Sequence, residues 1–122
     1  MTAELAILLD KQRRSFVADG PPSAAVRRNR IDRLLAMVLD NVDAFAEAMA
    51  LDFGTRSRSA SLATEMIGIL PVVEHTRSHV RQWMRPAKLL RAARLVGLRA
   101  EVQPSPLGVV GIIGPWNFPL QL

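Results

Sequence analysis

Apolar residues recur at helical spacing along most of this chain, and then the pattern changes. Leu5, Leu8, Leu9 and Phe16 share one face of a first helix, for which Thr2 is a suitable N-cap. Asp19-Gly20-Pro21-Pro22 ends it, because proline cannot extend the hydrogen-bond ladder. Ser23 caps a second helix with the stripe Val26, Ile31, Leu34, Leu35, Val38, Leu39 and Val42. Asp40-Asn41 offers a restart, and a third helix turns Phe45, Ala46, Met49 and Ala50 inward before Gly54 closes it. Residues 54–60 read as a polar loop. From Ser61 a longer helix carries Leu62, Met66, Leu70, Val73, Val80, Trp83 and Met84. Pro71 lies inside it, which predicts a kink or local break there.

Arg85-Pro86 ends the helical texture. Lys88 to Leu98 reads as a short amphipathic helix or an irregular arm. Leu98 to Gln103 alternates apolar and polar residues as a half-buried strand does. After the bend Pro104-Ser105-Pro106-Leu107-Gly108, the continuous apolar run Val109-Val110-Gly111-Ile112-Ile113 predicts a strand buried on both faces of a parallel sheet. The fold class is therefore α/β: four helices, an exposed strand, and one buried strand whose sheet partners are missing from the pattern.

Composition narrows the chemistry. A hydrophobic content of 49% suffices for a core, and 22% charged residues without low-complexity tracts mark a globular chain. Polar residues interrupt every apolar run well before membrane-spanning length, and no signal peptide is recognisable, so a cytoplasmic protein with no membrane partner is expected. With no cysteine, the chain holds neither a disulfide, a thiolate nucleophile nor a thiolate metal site. The charge is unevenly distributed. Residues 1–76 are near neutral, whereas residues 77–122 set Arg77, Arg81, Arg85, Lys88, Arg91, Arg94 and Arg99 against Glu101 alone. Such a cluster can hold phosphates, anionic lipid or an acidic protein. No aromatic interleaves with it after Trp83 and no nucleic-acid motif accompanies it, so a solvated or partner-facing segment is the plainer reading.

Other constellations are weak. His75 and His79 share a helix face at the spacing of paired metal ligands, but no Glu follows His75 and Arg77 and Arg81 crowd them; they read as surface histidines, and no metal is expected. Gly108, Gly111 and Gly114 match neither a dinucleotide fingerprint nor a phosphate loop. Ser57, Ser59 and Ser61 near Glu65 or His75 lack the nucleophile elbow of a hydrolase.

The informative stretch is Gly108 to Leu120. A buried strand ending in Gly114-Pro115 sends the chain out at the carboxyl edge of its sheet, where ligands bind in open α/β sheets. Trp116 and Asn117 then supply a large apolar face and a neutral amide donor, the latter a group able to receive charge developing on a carbonyl oxygen. Taken alone, Trp116 and Phe118 would be core aromatics and Asn117 a turn residue. The contiguous run Pro115-Trp116-Asn117-Phe118-Pro119 departs from that plain reading.

This run resembles the corresponding segment of the aldehyde dehydrogenase superfamily. Leu51-Asp52-Phe53-Gly54, Arg56-Ser57-Arg58, Arg81-Gln82-Trp83-Met84-Arg85-Pro86 and Pro106-Leu107-Gly108-Val109-Val110-Gly111 extend the resemblance from about Pro22 onward, and the coniferyl aldehyde dehydrogenase branch is the nearest likeness. The resemblance implies an N-terminal helical region at 1–98, a strand and turn of an oligomerisation arm at 99–107, and the start of a Rossmann-type NAD(P)-binding domain at 108–122. It implies that Asn117 donates its amide to the oxyanion and that Ile112, Ile113, Gly114, Pro115 and Trp116 line the side of NAD or NADP. The implied reaction is oxidation of a small-molecule aldehyde, coniferyl-type aromatic aldehydes among them, to the carboxylic acid by a homodimer.

In that family the catalytic Cys, general-base Glu, Gly-rich cofactor turn and ribose-binding Lys follow this segment, and none has a counterpart here. Aldehyde oxidation needs thiolate attack, hydride transfer and thioester hydrolysis. Asn117 would supply only an electrostatic contribution of roughly 3 kcal/mol, so the chain alone is expected to be inactive. The competing reading is a non-enzymatic helical module whose basic segment 77–99 binds an acidic partner.

Overall fold

The computed structural model describes residues 2–89, 95–98 and 100–122. It is mostly helical, with the order α1 (Thr2–Asp19), α2 (Ala24–Asp40), α3 (Val42–Phe53), α4 (Arg58–Ser61), a π-helical turn (Leu62–Met66), α5 (Ile67–Trp83), β1 (Ala87–Leu89) and β2 (Ala100–Val102). Two compact units are present: Met1–Ala24 with Val80–Gly111, and Ala25–His79 with Ile112–Leu122.

In the first unit, α1 ends where the sequence predicts, with the Gly20 N–H donating to the Phe16 carbonyl. The cap assigned to the Thr2 side chain lies outside the described residues. Leu5, Ile7, Leu8 and Val17 of α1 are exposed, and Phe16 is half-buried. β1 and β2 pair antiparallel, with Lys88 opposite Glu101, an opposite-charge pair of the kind that stabilises a two-stranded ladder. β2 thus falls within the alternating stretch Leu98 to Gln103, but its partner strand falls in the stretch read as a helix or an arm. Leu95 and Val96 make a short 3₁₀ turn, and the rest of that stretch, residues 90–94, lies outside the described residues.

The second unit contains the core. Val38 of α2, Met49 of α3 and Met66 of the π-helical turn are buried together, with Val42, Phe45, Leu62 and Leu120 packed against them. Every one of these but Leu120 comes from a helical stripe, as the 3.6-residue period requires. Helix α2 begins directly after Ser23 and runs to Asp40, where Asn41 Nδ2 donates to the Met37 carbonyl at 2.7 Å and satisfies one terminal acceptor. Gly54, at φ 70°, ends α3 by donating its N–H to the Ala50 carbonyl, a left-handed conformation that favours glycine.

Three expectations are corrected. The polar loop is shorter than residues 54–60, because Ser57 accepts the Ala60 N–H and starts α4. α5 runs unbroken through Pro71, so of the kink or local break expected there the break does not occur. The irregularity falls earlier, at Leu62–Met66, where the wider π-helical turn buries both Glu65 and Met66. The third correction is the largest. Val109 to Ile113 is not a strand, and Ile112 and Ile113 are 84% and 96% exposed. A strand is stable only when its backbone groups are paired, and the two-stranded antiparallel sheet of the first unit is the only one among the described residues.

Candidate functional site: an anchored turn bearing Asn117

All described contacts of the Pro-Trp-Asn-Phe-Pro segment lie within the second unit. Glu65, fully buried on the π-helical turn, is the centre. One carboxylate oxygen accepts from Arg56 Nη2 at 2.8 Å. The other accepts the backbone N–H of Leu120 at 3.2 Å and of Gln121 at 3.0 Å. A buried carboxylate is tolerated only when it is paired and its lone pairs are occupied, and here three donors converge on it.

Arg56 supplies the second attachment. Its Nη1 donates to the Asn117 carbonyl at 3.1 Å and its Nη2 to Thr64 Oγ1 at 2.7 Å. The guanidinium lies 4.9 Å from the Phe53 ring centroid and 5.8 Å from that of Phe118, within cation–π range. The planar fork of arginine suits several fixed acceptors at once, which the ammonium of lysine cannot match. The Gln121 side-chain amide also lies over Gly68 in the first turn of α5.

These contacts hold residues 117–121 by their backbone and leave the expected site side chains outside. Asn117 is exposed. Ile112, Ile113, Gly114, Pro115 and Trp116, with Pro119, line an open hollow, and Trp116 is 88% exposed. The residues assigned to the cofactor side and to the oxyanion are therefore contiguous on one outward-facing segment. Leu122 returns its N–H to the Phe118 carbonyl at 3.4 Å and completes the turn.

Sequence reasoning missed the role of Glu65 and Arg56. Glu65 drew attention only as a possible member of a serine-based site. The one signal was its position: it lies one residue from Met66 on the buried side of the helical run, where an unpaired carboxylate would be costly.

The other candidates resolve differently. His75 and His79 stack with ring centroids 4.1 Å apart, and His79 Nδ1 sits 2.8 Å from the His75 carbonyl and 2.9 Å from Ser78 Oγ. No group of three or more His, Cys, Asp or Glu residues suited to a metal occurs among the described residues. Arg77 of the basic cluster is bound to Asp32 of α2, which raises its pKa first through the hydrogen bond and then through charge attraction. Lys88 faces Glu101 across the sheet. Arg91, Arg94 and Arg99 lie outside the described residues. No helix among the described residues is long and apolar enough to cross a membrane.

Residues 13–122 match the model of the aldehyde dehydrogenase family. The chain is 40% identical over 119 residues to a coniferyl aldehyde dehydrogenase of Pseudomonas sp. (strain HR199 / DSM 7063), covering 98% of this chain and 24% of that protein. It is 37% identical to a probable coniferyl aldehyde dehydrogenase of Caulobacter vibrioides, covering 94% of this chain and 24% of that protein. It is 31% identical to a 4,4'-diapolycopene-4,4'-dial dehydrogenase of Cytobacillus firmus, covering 94% of this chain and 25% of that protein. The chain thus spans about a quarter of the length of the curated relatives it matches.

Proposed function

The chain belongs to the aldehyde dehydrogenase family, and from that premise we propose that it is the N-terminal part of an NAD(P)-dependent enzyme oxidising aldehydes, coniferyl-type aromatic aldehydes among them, to carboxylic acids. In this reading residues 1–98 form the helical region, 99–107 the strand and turn of a dimerisation arm, and 108–122 the entry to the Rossmann-type cofactor domain. Val109 to Ile113 becomes a strand when parallel neighbours from the rest of the enzyme pair with it.

The observation that carries the proposal is the anchored turn. Arg56 and Glu65 bind the backbone of residues 117–121 and leave the Asn117 side chain outward, as an oxyanion donor requires. A preorganised donor is effective because the protein has already met the cost of orienting it before charge develops.

The exposed apolar surface of Ile112, Ile113 and Trp116 would offer a nicotinamide ring an apolar side. Bound there, NAD(P)⁺ supplies the hydride acceptor. This chain's residues exclude water from that side and position the amide; the thiolate comes from elsewhere in the enzyme, since the chain has no cysteine, and in this reading so do the general base and the phosphate-binding groups.

The test is kinetic. In a chimera where this chain replaces the matching part of the Pseudomonas relative, Asn117→Ala is expected to lower kcat about 100- to 1,000-fold with little change in KM for the cofactor. An unchanged kcat, followed as NAD(P)H absorbance, would remove Asn117 from the chemistry and the proposal with it.

A further inference from the structure

We propose that Glu65 is the positioning residue of the Asn117 turn, with Arg56 as its partner, and that together they set the catalytic register of an amide neither of them touches. The inference rests on the reading of Asn117 as oxyanion donor, but its geometric basis stands apart from that reading.

Three features separate this arrangement from an ordinary structural ion pair. First, the Glu65 carboxylate is divided: one oxygen serves Arg56 and the other serves two consecutive backbone amides, Leu120 and Gln121. Two adjacent N–H groups on one oxygen define the orientation of a peptide unit as well as its distance. Second, Arg56 reaches the same segment independently through the Asn117 carbonyl. The turn is thus held at the peptide of Asn117 and again three and four residues later, so its intervening residues cannot pivot about a single point. Third, the pair is anchored in rigid structure. Met66, next to Glu65, is in the buried core, and Leu120 packs against that core. A displacement of about 1 Å in a catalytic group is enough to cost large factors in rate, and this double clamp opposes such a displacement.

The chemistry of the clamp is specific. A glutamine at position 65 matches glutamate in volume but has only one acceptor oxygen. It can face the two amides or Arg56, and its amide nitrogen then meets a donor on the other side. A lysine at position 56 retains the buried charge pair but loses the fork that reaches the Asn117 carbonyl and Thr64.

Two measurements test the proposal. In the 122-residue chain, hydrogen exchange is followed at the amides of Leu120 and Gln121, with Ala46 and Met49 of α3 as internal controls. The expected result is protection in the parent chain and exchange about tenfold or more faster at Leu120 and Gln121 in Glu65→Gln, with the controls unmoved. Unprotected amides in the parent chain, or rates unchanged by the substitution, overturn the proposal. If Glu65→Gln unfolds the chain, Glu65→Asp takes its place: it keeps a carboxylate but is one methylene shorter, so it cannot serve Arg56 and both amides at once. The same selective acceleration is expected, and unchanged rates again overturn the proposal.

In the chimeric enzyme, Glu65→Gln is expected to lower kcat about tenfold with cofactor KM changed less than about twofold, and to have no further effect when Asn117→Ala is already present. An equal loss in both backgrounds identifies a merely structural role and overturns the proposal. If Asn117→Ala alone leaves kcat unchanged, the oxyanion reading fails, and the exchange experiment still decides whether Glu65 anchors the turn.

Discussion

Ile112–Trp116 and Phe118–Gln121 are separated only by Asn117 and similarly apolar, yet their environments differ sharply. In the first, Ile112, Ile113 and Trp116 stand almost fully in solvent. In the second, Leu120 joins the core with Val38, Met49 and Met66, and two backbone amides are held by Glu65. Hydrophobicity alone does not separate them. What separates them is whether the chain supplies partners: helices α2 and α3 and the π-helical turn offer Leu120 a core and its neighbours an acceptor, whereas Ile112–Trp116 finds neither strand pairing nor cover among the described residues.

The sharpest way to break this difference is to remove the anchor. Glu65→Ala leaves the largely buried Arg56 guanidinium unpaired and should destabilise the chain by about 3–5 kcal/mol, read from the midpoint of urea unfolding. A loss below about 1 kcal/mol would mean that the pair contributes little to holding the turn. Met66→Ala comes next, since it removes core volume beside the carboxylate; about 2–4 kcal/mol is expected in the same measurement.

Ser61→Ala sharpens the comparison from the opposite direction. Its hydroxyl is fully buried and has no hydrogen-bond partner among the described residues, so its removal should stabilise the unit by about 1 kcal/mol. A destabilised variant would reveal a bond to that hydroxyl. The smallest effect on stability should come from Ile113→Ser, within about 0.5 kcal/mol, because that side chain is exposed in the folded chain. Self-association measured by sedimentation should nevertheless fall, since an exposed apolar patch has been reduced. A large stability loss there would show that Ile112–Trp116 is covered after all.

Much of the helical architecture was legible because its signals are local. Stripes at 3.6-residue spacing located α2 and α3, and Gly54 ended α3 through its own backbone freedom. The Asn117 segment was legible as a contiguous motif. The strand at Val109 to Ile113 was not, since a buried apolar run signals what a segment would cover and says nothing of whether its neighbours are present. Pairing of Ala87–Leu89 with Ala100–Val102 escaped for the related reason that register is a property of two segments.

Sequence by itself determined the family, the helical layer, and the residue types that chemistry at Asn117 would use. These depend on composition, period and contiguous motif, each readable from one stretch at a time. Only the tertiary structure decided that a carboxylate at position 65 and a guanidinium at position 56 meet a turn more than fifty residues away. It likewise decided that the apolar residues just before that turn stay in solvent. Burial and hydrogen-bond satisfaction are relations between distant segments, and those relations exist only once the chain has folded.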